Sequence, residues 1–173
     1  MPNRLLVSVA LAALVALPGA AIAAPRGQNF DAHLTGGAEV PSRDTPATGQ
    51  ATFHLSGDGS TITYRLVASN IENVFAAHIH CPAAEGDIAD PIVLLATTHQ
   101  GQGNEGGVNS NGTFAGSTLC DDGETTVLEA MRAGNAYVNV HTNDGTGDPN
   151  TGPGDFQTGE IRGQIEARGP AGS

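Results

Sequence analysis

The sequence holds two histidines one residue apart, in the stretch His78-Ile79-His80. Successive side chains of a β-strand point to opposite faces, so His78 and His80 would share one face and Ile79 would lie on the other. A third histidine, His141, ends another stretch with strand-like alternation. Neutral imidazole is a good ligand for Cu²⁺ and Zn²⁺, so three imidazoles on stiff strands would suit either ion.

The residues around these histidines predict which face of each strand turns to the core. Phe75, Ala77 and Ile79 alternate with the first two histidines and should point into the core. Two later stretches divide in the same way. Their polar sides carry Tyr137, Asn139, His141, Glu160, Arg162 and Gln164, and their apolar sides carry Val138, Val140, Ile161 and Ile165. If the three strands are neighbours in one sheet, the polar faces merge into a single site.

The other polar side chains of this site suggest supporting roles. Glu160 would be a fourth metal ligand, or an acceptor that fixes a histidine tautomer. Arg162 would pair with Glu160 or attract an anion to the metal, and Asn139 would lie behind the ligands. The alternative is a hydrogen-bonded polar cluster without a metal, because histidine, asparagine, glutamate and arginine can satisfy one another. The sequence alone leaves both interpretations open.

The remaining candidates for metal binding are weaker. His33 and His54 fall on outward strand positions and should be solvated. His99 follows a strand, and we do not expect it to join the site. An Asp-rich loop is a minor calcium candidate, because the EF-hand spacing is absent. Its aspartates are Asp144, Asp148 and Asp155.

Cys81 and Cys120 are the two cysteines of the chain. In an exported protein the expectation is a disulfide, which would close a loop of about 40 residues and stabilise the fold by roughly 3–4 kcal/mol. That bond would tie down the Gly-rich residues 101–116, which have little else to hold them. The alternative is a metal-ligand pair, which the absence of CxxC spacing disfavours.

Period-two alternation dominates the chain and predicts an all-β fold. The expected strands cover residues 30–34, 51–55, 62–66, 74–80, 91–97, 113–118, 136–142 and 159–167. One short helix is expected over residues 125–132, with Thr125 or Thr126 as its cap and Gly134 at its end. Seven or eight short strands separated by turn signals favour an antiparallel Greek-key β-sandwich or barrel.

The N-terminal residues have the pattern of a secretory signal peptide. A basic start precedes an apolar run over residues 5–17, and Ala21-Ile22-Ala23 fits the small-residue cleavage pattern. The run is too short to span a bilayer comfortably. We therefore expect a signal peptide at residues 1–23, one β-domain at 29–168 and a disordered tail at 169–173. The mature protein should be secreted or periplasmic, without membrane insertion.

The charge of the chain limits its partners. The formal net charge is −11, and becomes −12 once Arg4 leaves with the signal peptide. Such a chain repels nucleic acid and anionic membrane surfaces. The expected partner is therefore a metal ion or an extracellular protein, which the sequence does not identify.

Several stretches, taken in order, resemble the CHRD (chordin) domain family. They are Leu34-Thr35-Gly36-Gly37-Ala38-Glu39-Val40-Pro41, Thr45-Pro46-Ala47-Thr48-Gly49, Ala76-Ala77-His78-Ile79-His80, Tyr137-Val138-Asn139-Val140-His141-Thr142 and Gly159-Glu160-Ile161-Arg162-Gly163-Gln164. The resemblance covers about residues 30–167. The family occurs singly in exported bacterial proteins and repeated in chordin, an extracellular antagonist of bone morphogenetic proteins. It implies no general enzymatic activity.

The chain departs from the usual family pattern in two places. Cys81 stands where glycine is common, and the loops at residues 99–123 and 143–158 look enlarged. A fainter resemblance is to copper–zinc superoxide dismutase, in which a His-x-His strand and a late strand supply copper ligands. By that analogy His78, His80 and His141 would bind copper and Arg162 would guide an anion.

Two hypotheses about function follow. The first is a non-catalytic extracellular or periplasmic binding module of the CHRD family. The second is a copper- or zinc-binding protein with a three-histidine site, with redox activity like that of a superoxide dismutase as an extension. Metal content of protein purified without a histidine tag would separate them.

Overall fold

A computed structural model describes residues 28–97 and 107–169. The predicted signal peptide, His99 and residues 170–173 of the predicted tail lie outside this range. Within it, the chain forms nine strands, a single 3-10 turn at Gly36–Ala38 and one α-helix, α1 (Val127–Ala133). The strands are β1 (Asn29–Thr35), β2 (Thr48–Leu55), β3 (Thr61–Ser69), β4 (Val74–His80), β5 (Pro91–Thr97), β6 (Val108–Ala115), β7 (Tyr137–Thr142), β8 (Ile161–Gln164) and β9 (Glu166–Ala167).

The strands join into one antiparallel sheet that curls into a nearly closed barrel. Its order is β5-β4-β7-β8-β1-β2-β3-β6, and β9 pairs with β1. The end strands β5 and β6 meet where the Leu95 carbonyl of β5 accepts a hydrogen bond from Ser110 Oγ of β6 at 2.6 Å. The same carbonyl accepts from the Tyr64 hydroxyl of β3 at 2.7 Å. The predicted all-β antiparallel fold is confirmed.

The apolar face of each strand fills the barrel. In β3, Ile62, Tyr64 and Leu66 are buried, while the residues between them are exposed or half-buried. The helix packs onto the same core through Val127 and Met131, both fully buried. Alternation with a period of two therefore separates core from surface along the strand, as the sequence predicts.

The helix lies within two residues of its predicted position. Thr126 is the N-cap, and it exchanges hydrogen bonds with Glu129 in a capping box. Gly134 ends the helix with a φ of 71°, a left-handed conformation that glycine adopts without steric cost.

The strand β6 corrects one expectation. We predicted a weak strand over 113–118 and a Gly-rich segment held mainly by the disulfide. Instead, Val108–Ala115 pairs with β3 at eight successive positions. Its side chains are mostly exposed or half-buried, so backbone hydrogen bonds hold this edge strand and its sequence carries little apolar signal.

Two strands near the histidines differ in detail from the prediction. The last predicted strand is divided at Ile165, so that β8 pairs with β7 and with the end of β1, while β9 pairs with the start of β1. In β4 the register shifts between Val74 and Ala76, the signature of a bulge. The bulge changes the alternation, so Phe75 does not join Ala77 and Ile79 in the core as predicted; its ring lies 5.9 Å from that of His141.

The predicted disulfide between Cys81 and Cys120 is confirmed. It joins the residue after His80 to the segment that leads into α1, and the Cys81 carbonyl accepts a hydrogen bond from the Asp121 amide at 3.0 Å. No helix in the described part of the chain is long and apolar enough to cross a membrane.

Candidate metal centre

Three neighbouring strands carry the predicted site on the outer face of the barrel. The register of β4, β7 and β8 sets His78 opposite Asn139 and Asn139 opposite Arg162. One pleat further along, His80 lies opposite Tyr137, while His141 is opposite Ala76. The polar faces therefore merge, as the sequence predicts.

The three histidine rings meet above this face. Their centroids are 5.9 Å apart for His78 and His80, 5.2 Å for His78 and His141, and 5.6 Å for His80 and His141. One ring nitrogen from each lies within 4.8 Å of those of the other two. His78 is half-buried, whereas the other two residues are at most 9% exposed.

Each ring keeps one buried nitrogen without a hydrogen-bond partner among the described residues. These atoms are His78 Nδ1, His80 Nε2 and His141 Nε2. Buried polar atoms are almost always paired, so three unpaired nitrogens in one cluster call for an explanation. A metal ion that accepts their lone pairs supplies one.

The backbone orients two of the rings. His80 Nδ1 lies 2.8 Å from the Ala89 carbonyl, and His141 Nδ1 lies 3.1 Å from the Gln157 carbonyl. A carbonyl can only accept, so each Nδ1 carries the proton and each Nε2 keeps a lone pair. Metal-binding histidines are commonly fixed by such a second hydrogen bond.

Burial keeps the rings uncharged. It lowers the pKa of His80 and of His141 to about 4 and also lowers the pKa of His78. The Ala89 carbonyl acts in the opposite direction on His80, and the neighbouring rings lower the pKa of His141 further. At neutral pH the cluster therefore presents neutral imidazoles, the form that binds metals.

A loop between β4 and β5 covers one side of the cluster. Arg162 Nη1 donates to the Asp87 carbonyl at 2.7 Å, and Gln164 Nε2 donates to the Ala83 carbonyl at 2.9 Å. The Arg162 guanidinium lies 3.5 Å from the centre of the Tyr137 ring, which stacks on His80 at 4.7 Å. Side chains of the site face thus hold the loop in place over the histidines.

The structure does not bring Arg162 and Glu160 together as the ion pair that was one of the roles expected for them. Arg162 forms no ion pair with Glu160 among the described residues, and both of its Nη atoms are directed at backbone carbonyls of the loop. The Glu160 carboxyl instead accepts from Thr45 Oγ1, Thr142 Oγ1 and the Gly154 amide at 2.6–2.8 Å. Residue 160 precedes β8, so strand alternation does not place its side chain beside the histidines.

A sequence profile of the CHRD domain matches residues 30–148, more than half of the chain. This protein belongs to the CHRD domain family. The matched residues include all three histidines, and the sheet of this CHRD domain continues beyond the match through β8 and β9. No curated protein and no solved structure matches the chain.

Sequence reasoning missed Glu39 as a site residue of this CHRD domain. It is 8% exposed, and burial raises its pKa to about 7, although nearby Arg162 acts to lower it. Its Oε1 atom would lie 2.6 Å from a Cβ atom at Gly159, and Asn139 Oδ1 would lie equally close. The sequence signal was present: Glu39 is the one charged residue of a family stretch rich in glycine and apolar residues.

The weaker metal candidates stay apart from the centre. His33 and His54 are exposed, in agreement with the prediction. Within residues 28–97 and 107–169, the three histidines are the only group of three or more histidine, cysteine or acidic side chains placed to hold a metal ion. Asp144, Asp148 and Asp155 are therefore not brought together as a group of three carboxylates.

Proposed function

We propose that this CHRD domain binds one transition-metal ion, copper or zinc, through His78, His80 and His141. The observation that carries the proposal is the convergence of three histidine rings, each with one buried nitrogen that has no hydrogen-bond partner among the described residues. A hydrogen-bonded cluster without a metal would pair these atoms with one another or with neighbouring side chains. Here the hydrogen bonds of His80 and His141 use Nδ1 and leave Nε2 of each ring unpaired among the described residues.

The ligand set selects the class of metal. Imidazole nitrogen suits copper and zinc, whereas calcium and magnesium prefer oxygen ligands. Metal–nitrogen bonds of about 2.0–2.1 Å require ligand atoms no more than about 4 Å apart. The three nitrogens lie within 4.8 Å of one another, so small rotations of the rings close the site. Copper should bind more tightly than zinc at equal concentrations.

The proposed role is binding rather than catalysis, in a compartment outside the cytoplasm. The disulfide between Cys81 and Cys120 supports an oxidising location, where such bonds persist. The N-terminal signal pattern and the family membership support export to the periplasm or the medium.

Metal titration of the untagged protein tests the proposal. Protein stripped with a chelator should take up one Cu²⁺ or one Zn²⁺ per chain, measured by metal analysis after gel filtration. His141→Ala should lower the affinity at least about 100-fold, because it removes one of three ligands. His54→Ala is the matched control, since that exposed histidine lies on β2. Equal metal uptake by His141→Ala and the native protein would contradict the proposal.

A further inference from the structure

Two acceptor oxygens beside the histidines also lack a hydrogen-bond partner in the described part of the chain. They are Glu39 Oε1 and Asn139 Oδ1. Glu39 is 8% exposed and Asn139 is 4% exposed, so bulk water does not satisfy either group. Each unpaired buried acceptor destabilises the folded state by roughly 1–3 kcal/mol, so two of them side by side suggest that a donor from outside the chain binds there.

Both side chains border the space in front of Gly159. A Cβ atom on Gly159 would lie 2.5 Å from Asn139 Nδ2 and 2.6 Å from both Asn139 Oδ1 and Glu39 Oε1. Gly159 has a φ of 126°, a backbone conformation that glycine adopts far more readily than other residues. The absence of a side chain at this residue therefore keeps the space between Glu39 and Asn139 free for the two polar groups.

The sheet register sets this acceptor pair next to the proposed metal. Asn139 is directly opposite His78 across the β4–β7 ladder, where Cβ atoms are about 4.5–5.5 Å apart. It also precedes His141 by two residues on the same face, about 7 Å along the strand. Asn139 thus adjoins two of the three proposed ligands, and Glu39 and Asn139 both border Gly159.

We propose that Glu39 and Asn139 position a water molecule as a further ligand of the metal, and that they select this neutral hydrogen-bond donor over small anions. The inference rests on the proposed function, because it needs an ion bound by the three histidines. Three protein ligands leave a coordination position for water. Metal-bound water is a strong donor, and the two oxygens can only accept from it.

The charges around the site support selection against anions. An anion on the metal would place its negative charge close to the Glu39 carboxylate. The positive charge of Arg162 acts on both Glu39 and His80 and offsets part of this repulsion, while its Nη atoms donate to the Asp87 and Ala84 carbonyls.

Azide binding to the copper-loaded protein tests the inference. The titration is followed by the azide-to-copper charge-transfer absorption at pH 8.5, above the pKa of about 7 for Glu39. Glu39→Gln should bind azide roughly tenfold more tightly than the native protein, because the opposing charge is gone. Glu166→Gln, which removes an exposed charge on β9, should change the affinity less than twofold.

The outcomes separate this inference from the proposed function. Copper bound at one per chain in all three proteins, with identical azide affinities, overturns the role of Glu39 and leaves the three-histidine site intact. Failure of the native protein to bind copper overturns both. If Glu39→Gln does not fold, pulsed EPR of the native copper protein in D₂O decides: deuteron couplings from an equatorial water support the inference, and their absence overturns it.

Discussion

The Glu160 carboxyl and the three-histidine cluster are both buried polar regions near the paired strands β7 and β8, yet they differ in how their atoms are hydrogen-bonded. Glu160 is fully buried and accepts three hydrogen bonds, from Thr45, Thr142 and Gly154. The histidine cluster keeps three ring nitrogens without partners among the described residues.

This difference in hydrogen bonding distinguishes a polar group that stabilises the fold from one that can bind a ligand. Glu160 joins three segments of the chain and needs nothing from outside, since every donor aimed at it belongs to the protein. Backbone carbonyls also orient His80 and His141, but each of the three rings keeps one buried nitrogen without a hydrogen-bond partner among the described residues. Burial alone therefore does not indicate function, whereas burial combined with unpaired atoms does.

The largest expected effect on stability is at Glu160. Glu160→Ala should lower the free energy of unfolding by about 4 kcal/mol, because three buried donors lose their acceptor. Urea denaturation monitored by far-UV circular dichroism measures this loss. Glu72→Ala, at an exposed position, is the control and should cost less than about 0.5 kcal/mol. A loss as small as that of the control would contradict the structural role of Glu160.

The disulfide next to the histidine cluster should contribute nearly as much to the free energy of unfolding. Replacing Cys81 and Cys120 together with serine should lower the free energy of unfolding by about 3–4 kcal/mol, since the bond spans 39 residues. Copper should still raise the melting temperature of this variant, because the three ligands remain. A disulfide-free variant that no longer responds to copper would show that the bond, rather than the strands, assembles the site.

Acid should destabilise the metal-free domain through its histidines. His80 and His141 have folded pKa values of about 4, below their ordinary 6.5, so the unfolded chain binds more protons between these values. The contribution of each ring to the free energy of unfolding is fully present above pH 6.5. It falls by up to about 3 kcal/mol as the pH drops towards 4. Glu39 acts in the opposite direction between pH 7 and 4.5, because its pKa is raised.

The net change in that window should be a loss on the order of 3 kcal/mol. Urea denaturation at pH 7.0 and 4.5, without metal, measures it, and a variant lacking His141 should lose less. A stability that is unchanged at pH 4.5 would show that the rings are not held neutral by burial.

The smallest expected effects are the stability changes caused by one substitution in each region, measured without metal. Thr142→Val removes a donor to Glu160 and should cost about 1–2 kcal/mol. His78→Leu removes a half-buried ring whose Nδ1 has no partner in the described chain, and should change stability by less than about 0.5 kcal/mol. Saturating copper should stabilise Thr142→Val but not His78→Leu. Equal stabilisation of the two variants by copper would remove the distinction between the regions.

Strand alternation made much of the site predictable. The phase of His78, His80 and His141 on their strands follows from residue spacing alone, and the same spacing put Asn139 beside them. The family stretches, read in order, indicated the CHRD domain that the profile confirms. The sequence does not determine which strands are neighbours, so their adjacency had to be assumed. The structure shows that β4, β7 and β8 are neighbours.

Other features depend on contacts that spacing does not encode. Glu160 precedes β8, so the alternation rule does not apply to it, and Arg162 meets a loop from a distant part of the chain. A bulge in β4 moved Phe75 to the histidine side. Glu39 joins the site through a loop packed over β7 and β8, a long-range contact without any local periodicity.

X-ray absorption spectroscopy of the copper- or zinc-loaded protein tests the central claim most directly, because it counts the ligands of the metal. The account predicts three imidazole nitrogens at about 2.0–2.1 Å, with His54→Ala unchanged and with two remaining in a His80→Ala protein loaded at high metal concentration. One imidazole or none in the native protein, or a spectrum that His80→Ala leaves unaltered, would contradict a metal centre built from His78, His80 and His141.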